Sequence, residues 1–214
     1  MCPMRLLKTA YHHGDLRNAL IQGALKLMEK DGESFSLRDL AKRVGVSAPA
    51  LYSHFADKDA LLVAIAVCGF DKLKESLEAA IGRVADPQQQ FIQMGQAYVR
   101  FGMDNPALYK LMFSGEELPA KRFKFPELQE AGNRAFQALS GMLAEMQRTG
   151  FMRPGHVDLD AFSIWAHVHG LASLIITGRV ECMSEQVEGM PVIPADQLVD
   201  LSLKNLLEGF RQPK

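Results

Sequence analysis

The chain has 214 residues, 48% of them hydrophobic and 23% charged, with a formal net charge of −1 at pH 7. Such a length holds one ordinary core or a small domain joined to a larger one, and the composition is that of a soluble globular protein, which excludes disordered and collagenous classes. Near-neutral charge by itself argues against binding of nucleic acid by bulk electrostatics.

Two further exclusions concern location. No apolar run approaches the roughly 20 residues that a membrane span needs. Met1-Cys2-Pro3-Met4-Arg5 lacks the apolar stretch and small-residue cleavage site of a secretory signal. Cytoplasmic residence and no membrane partner are expected. Cys2, Cys68 and Cys182 are far apart and in no ligand spacing. They read as two buried hydrophobes and a tail thiol, with a redox sensor as the alternative.

In chain order, Arg5, Lys8, His12 and His13 form a short basic arm, either a frayed terminus or an extra contact with phosphates or the minor groove. Leu16 to Lys30 is an amphipathic helix with Leu20, Gly23, Ala24 and Leu27 inward, ended by Asp31-Gly32. Ser36–Phe55 then holds two short helical patterns broken at Val44-Gly45-Val46. Leu37, Leu40, Ala41 and Val44 mark the first; Ala48, Leu51 and Phe55 mark the second. Gly45 can take the positive φ that ends a helix tightly, Ser47 offers an N-cap, and Pro49 is tolerated in a first turn. Small residue, glycine turn and capped second helix make a helix-turn-helix pattern over residues 36–55.

From Asp57, an expected N-cap, Leu62, Ile65, Gly69, Leu73, Leu77 and Ala80 keep helical period to about Val84, and Asp86-Pro87 stops it. Gln88–Asp104 is the next helix, Ala107–Ser114 a short apolar one, and Gly115–Phe125 a loop. Pro126–Arg148 is helical and Thr149–Val157 a turn. Leu159–Met183 is the most apolar helix, with one stripe on Phe162, Ala166, His169, Ser173 and Ile176 and another on Ala161, Ile164, Val168, Leu171 and Ile175. Two stripes mean burial on two sides, so one side needs a partner. After a loop over Glu185–Pro194, Ala195–Phe210 closes the chain as an amphipathic helix. No strand pattern, repeat or low-complexity tract persists; the expected fold is all-α.

Phe35-Ser36-Leu37, Leu40-Ala41, Gly45-Val46-Ser47, Leu51-Tyr52-x-His54-Phe55, Lys58 and Leu61-Leu62 together resemble the DNA-binding domain of the TetR family of repressors. The likeness covers about the first third of the chain. Trp165-x-x-x-His169-Gly170 resembles a subgroup of the family with a Trp, a His and a Gly at that spacing in the C-terminal domain. The resemblance implies an all-helical homodimer that releases its operator when a small molecule binds the C-terminal domain. It also implies that the positions of Tyr52, His54 and Lys58 contact phosphates. Residues 12–60 are then the DNA-binding domain and 61–214 a larger effector-binding and dimerisation domain.

The DNA-facing set is Ser36, Leu37, Arg38, Lys42, Ser47, Ala48, Pro49, Ala50, Tyr52, Ser53, His54 and Lys58. Residues 1–64 carry nine basic and seven acidic side chains, a net of +2 against −3 for the rest, so position matters more than totals. Between Ser47 and His54 there is no Arg, Lys, Asn or Gln, the side chains able to bond G or A bidentately. Readout by the second helix should rest on thymine methyls, hydroxyl bonds from Ser47 and Ser53, and DNA shape. Arg38, Lys42 and Arg43 could grip the backbone, with Arg38 the one to reach a base; a solvated helix face is the other reading.

In the body, Phe101, Met103, Tyr109, Met112, Phe113, Phe136, Met142, Phe162, Trp165 and His169 could line a pocket for a flat or greasy molecule, or could be plain core. Ala166, Gly170 and Ser173, with Leu203 and Leu207 of the last helix, are the expected dimer contact, which would close a four-helix bundle. His167-x-His169 is poor geometry for one metal, and no phosphate loop, nucleophile elbow or metalloprotease pair is present. The expectation is therefore a regulator with no metal, no cofactor and no catalytic residues. Its expected partners are double-stranded operator DNA, a second copy of itself and a small-molecule effector. A helical enzyme or haem carrier, and a DNA-binding regulator answering to a protein partner, are the alternatives.

Overall fold

The computed structural model describes residues 13–82, 84–113, 124–187, 189 and 191–212. Arg5, Lys8 and His12 of the basic arm, Cys2, and most of the loop expected over 115–125 lie outside them. Ten α-helices are formed by the described residues: α1 His13–Asp31, α2 Leu37–Val44, α3 Ala48–Tyr52, α4 Lys58–Ile81, α5 Pro87–Asp104, α6 Pro106–Phe113, α7 Pro126–Arg148, α8 Val157–Ile176, α9 Arg179–Gln186 and α10 Ala195–Glu208. No strand occurs among the described residues; one isolated antiparallel bridge pairs Met152 with Arg211. The fold is all-α. Its contacts divide it into Met1–Ile65 and Ala66–Lys214, with the division falling inside α4.

In the first unit α1 lays Leu20, Ile21, Ala24, Leu27 and Met28 inward, and α2 packs on it through Leu40 and Ala41. Gly23 is the point of closest approach. A methyl there would come within 2.7 Å of Val44, so the stripe works only with hydrogen at that position. Leu51 of α3, with Phe35 and Phe55 on either side of the motif, completes the core.

In the second unit α5 is central. It packs against α6, α8 and α10, while α7 and α9 meet α8. Gly95 is the closest contact between α5 and α10, since a Cβ there would be driven into Leu203. The turn after α7 is tied to the end of α10 by backbone bonds from Arg153 to Phe210 (3.0 Å) and from Gln212 to Phe151 (3.2 Å). Arg153 lies over the Phe210 ring and Arg211 over the Phe151 ring, both at 5.3 Å, a crossed pair of cation–π contacts. The buried Asp160 accepts from Gln147 at 3.1 Å and Arg153 at 3.4 Å, fixing the start of α8 on the same turn.

Several sequence expectations need correction. The apolar helix expected over 159–183 is two helices, because Gly178 takes φ 67° and turns the chain between α8 and α9. Residues 185 and 186, expected in a loop, belong to α9. Val157–Ile176 is long and apolar enough, by length and composition, to cross a membrane, although no uninterrupted apolar run of that length is present in it. Asp158, Asp160, His167 and His169 interrupt the run without lowering its average enough. Cys182, expected to be buried, is exposed on α9, where Gln186 donates to its sulfur at 3.2 Å.

Candidate functional site

In the first unit, the head of the molecule, local geometry follows from its caps. Ser36 Oγ accepts from the Asp39 N–H at 3.1 Å while the Ser36 N–H donates to Asp39 at 3.1 Å, a reciprocal capping box that starts α2. The Ser36 hydroxyl and N–H hold the Asp39 carboxyl below the usual carboxylate range. Gly45 ends α2 at φ 78°, and the Val46 N–H returns to the Ala41 carbonyl at 2.9 Å. Two residues later Ser47 Oγ accepts from the Ala50 N–H at 3.3 Å and starts α3. Asp57 caps α4 by accepting from the Ala60 N–H at 2.8 Å. Caps at Gly45, Ser47 and Asp57 thus set three helix ends within a dozen residues.

This framing sets which of the expected DNA-facing residues reach the surface. Ser36, Arg38, Lys42, Ser47, Pro49, Tyr52 and Ser53 are exposed; Ala48, Ala50, His54 and Lys58 are half-buried. Tyr52 is 48% exposed, large for an aromatic on a small helix. Leu37 does not belong with them. It is buried in the head's core beside Leu40, so its side chain has no surface role. The Ser53 hydroxyl donates to the Ala50 carbonyl at 2.7 Å, which orients its oxygen lone pairs outward as acceptors. The Lys58 ammonium lies 4.9 Å from the centre of the Phe35 ring, so its stem is braced on the core.

In the second unit a cavity of about 610 Å³ is walled by α4 (Phe70, Leu73, Leu77), α5, α7 and α8. Of the residues expected to line a pocket, Phe113, Phe136, Met142, Phe162 and Trp165 do so. Phe101 and Met112 are core residues elsewhere, and Met103 is 46% exposed on the outer side of α5, beside α10. Tyr109 and His169 stand behind the wall. The Trp165 Nε1–H donates to the Tyr98 hydroxyl at 3.1 Å, and His169 Nδ1 lies 3.0 Å from the Tyr98 hydroxyl and 2.8 Å from that of Tyr109. Burial keeps both tyrosine hydroxyls protonated and pushes the His169 pKa down, so the cluster is neutral. His167 points away, 2.7 Å from the Ser202 hydroxyl, so the two imidazoles serve different helices.

Sequence reasoning missed Tyr98, at the centre of this cluster, and the wall residues Phe70, Gln129 and Asn133. Nothing local marks them, since each is one member of an ordinary helical stripe or helix surface. It also placed Leu203 and Leu207 at a dimer contact. Both are fully buried within one protomer, Leu203 against Gly95 of α5, and so are closed to a partner. Ala166 and Gly170 are exposed on α8, and Ser173 is half-buried.

A capped pair of short helices with the second one exposed, joined to a helical body, defines the class: helix-turn-helix DNA-binding transcriptional regulators. Residues 20–65 match the model of the tetR family of bacterial regulatory proteins, and residues 91–190 that of the tetracyclin repressor-like C-terminal domain. The chain belongs to the TetR family, a family of regulatory transcription factors and not of enzymes. A solved structure from Rhodococcus sp. RHA1, of a protein of unknown function, is 31% identical with a TM-score of 0.81, covering 96% of this chain and 100% of that one. An uncharacterized HTH-type transcriptional regulator of Mycobacterium tuberculosis is 24% identical over 191 residues, 88% of this chain and 74% of its own. The nucleoid occlusion factor SlmA of Vibrio cholerae is 28% identical over 145 residues, 65% of this chain and 70% of its own.

Proposed function

We propose that the protein is a cytoplasmic homodimeric repressor that binds a near-palindromic operator through residues 12–60 and releases it when a small molecule fills the cavity of residues 61–214. The observation that carries this reading is α4. The helix that lines the cavity at Phe70, Leu73 and Leu77 is the same 24-residue helix whose first turn, at Lys58, follows the DNA-reading motif. An occupant of the cavity touches it directly, and a helix of that length, about 36 Å, transmits a displacement along its axis.

At the DNA, α3 would enter the major groove with Ser47, Ala48, Pro49, Ala50 and Ser53 toward the bases, and Tyr52, His54 and Lys58 toward phosphates. Arg38 and Lys42 would flank them. Two such heads related by dimer symmetry require half-sites about one helical turn, or a multiple of it, apart.

Gel-shift titration on the DNA upstream of the protein's own gene tests the reading. Binding should weaken steeply with salt, since each neutralised phosphate releases counterion. Lys58→Ala should lower affinity alike on all sequences and reduce the salt slope by about 1. Tyr52→Ala should lower affinity with the slope unchanged. A changed sequence preference in Lys58→Ala would remove its phosphate role, and equal affinity for random and selected duplexes would remove the operator.

The likeness to a nucleoid occlusion factor supports a second reading, a DNA-binding protein that answers to another protein in place of a small molecule. A body that gains no thermal stability across a broad ligand library, while the head still binds DNA, favours it.

A further inference from the structure

The chemistry of the cavity wall narrows what can fill it, an inference that rests on the cavity being the effector site. Among the described residues, no Asp, Glu, Lys, Arg or His lines it. Four lining side chains are polar: Tyr98, Trp165, Gln129 and Asn133. The first two are engaged with one another. The Trp165 N–H goes to the Tyr98 oxygen, and the Tyr98 and Tyr109 hydroxyls lie within hydrogen-bonding distance of His169 Nδ1 and 3.4 Å from each other. The polar atoms of Trp165 and Tyr98 thus meet partners inside the cluster, and His169 itself does not line the cavity. Among the described residues, a carboxylate at the inner end would meet aromatic ring and no cationic side chain, and an ammonium would meet no anionic one. Either charge would lose its hydration with no opposite charge to replace it.

The other two polar residues stand together. Gln129 and Asn133 are four apart on α7, on one face, both exposed, with Gly132 between them opening the wall toward Phe70. Phe162 of α8 also lines the cavity and is 57% exposed. The mouth thus offers two amides, each with donor and acceptor, above an apolar interior.

We propose that the ligand is an uncharged molecule with an apolar body filling the cavity and one hydrogen-bonding end, a carbonyl, amide or hydroxyl, held by Gln129 and Asn133.

A matched set of decanamide, 1-decanol, decanoate and decylammonium at pH 7 separates charge from shape. Trp165 is the chain's sole tryptophan and stands in the wall, so its emission reports occupancy. The two neutral probes should change that emission and bind at least about 100-fold more tightly than the two ions. The double variant Gln129→Leu with Asn133→Leu, at exposed helix positions, should keep its Tm and lose about tenfold in decanamide affinity. Decanoate or decylammonium binding within threefold of decanamide would overturn the proposal, as would unchanged Trp165 emission with all four. Neutral selectivity without any effect of decanamide on DNA affinity would uphold the ligand class and sink the effector role.

Discussion

At the scale of single residues the body is organised by His169. Its Nδ1 can accept a tyrosine proton only while the ring is neutral, and burial favours that form by lowering its pKa from the ordinary 6.5. The sign of the pH effect follows. Above about pH 6.5 folded and unfolded chains both hold a neutral ring, so His169 leaves stability unaffected. As pH falls below that value the unfolded chain takes up a proton that the folded one refuses, and stability is lost until the folded-state pKa is passed. Calorimetry between pH 7.5 and pH 5 should show a shallower fall in Tm for His169→Asn than for the parent. The two tyrosines are also distinguishable. Tyr98→Phe leaves the Trp165 N–H without its acceptor and should cost about 2 kcal/mol in urea unfolding, whereas Tyr109→Phe leaves His169 bonded to Tyr98 and should cost about 1 kcal/mol.

At the scale of elements, what could be read from the sequence is what depends on neighbours along the chain. Ser47, Asp57 and Gly45 act as caps because a cap is a contact within three or four residues, and the residue type carries the whole signal. Gly178 was not legible as a break, since a glycine inside an apolar helical pattern is ordinarily tolerated. Nor were the faces of α10 separable. Leu198, Leu201, Leu203, Leu206 and Leu207 all read as apolar, and only the approach of α5 at Gly95 shows that Leu203 turns inward while Leu201 stays 50% exposed. Two glycine substitutions test these assignments. Gly45→Ala meets no atom within 4 Å, so its cost of about 1 kcal/mol should come from the left-handed backbone alone. Gly95→Ala must move Leu203 and should cost more, about 1–3 kcal/mol. Equal losses in denaturant titrations would contradict the distinction.

At the scale of the whole molecule, α8 keeps one face uncovered in a single protomer: Leu159 at 65% exposure, Phe162, Ala166, Gly170 and Leu174, with Leu201 exposed on α10. The proposed homodimer would bury an apolar face of this kind, and the small side chains at its centre leave room for a second helix. Ala166→Arg combined with Leu201→Glu should give a folded monomer in sedimentation velocity that binds operator far more weakly than the parent. If the effector acts through α4, linkage requires operator to weaken effector binding by the same factor that effector weakens operator binding. Calorimetric titration of effector with and without operator, giving equal affinities, would reject that coupling.

The lock between Gly95 and Leu203 joins residues about a hundred positions apart, and Leu203 is itself part of the cavity wall. A ribosome must therefore deliver α10 before that side of α5 can be covered. Until then the Gly95 side of α5 stays open, so the wall of the cavity is completed only late in synthesis.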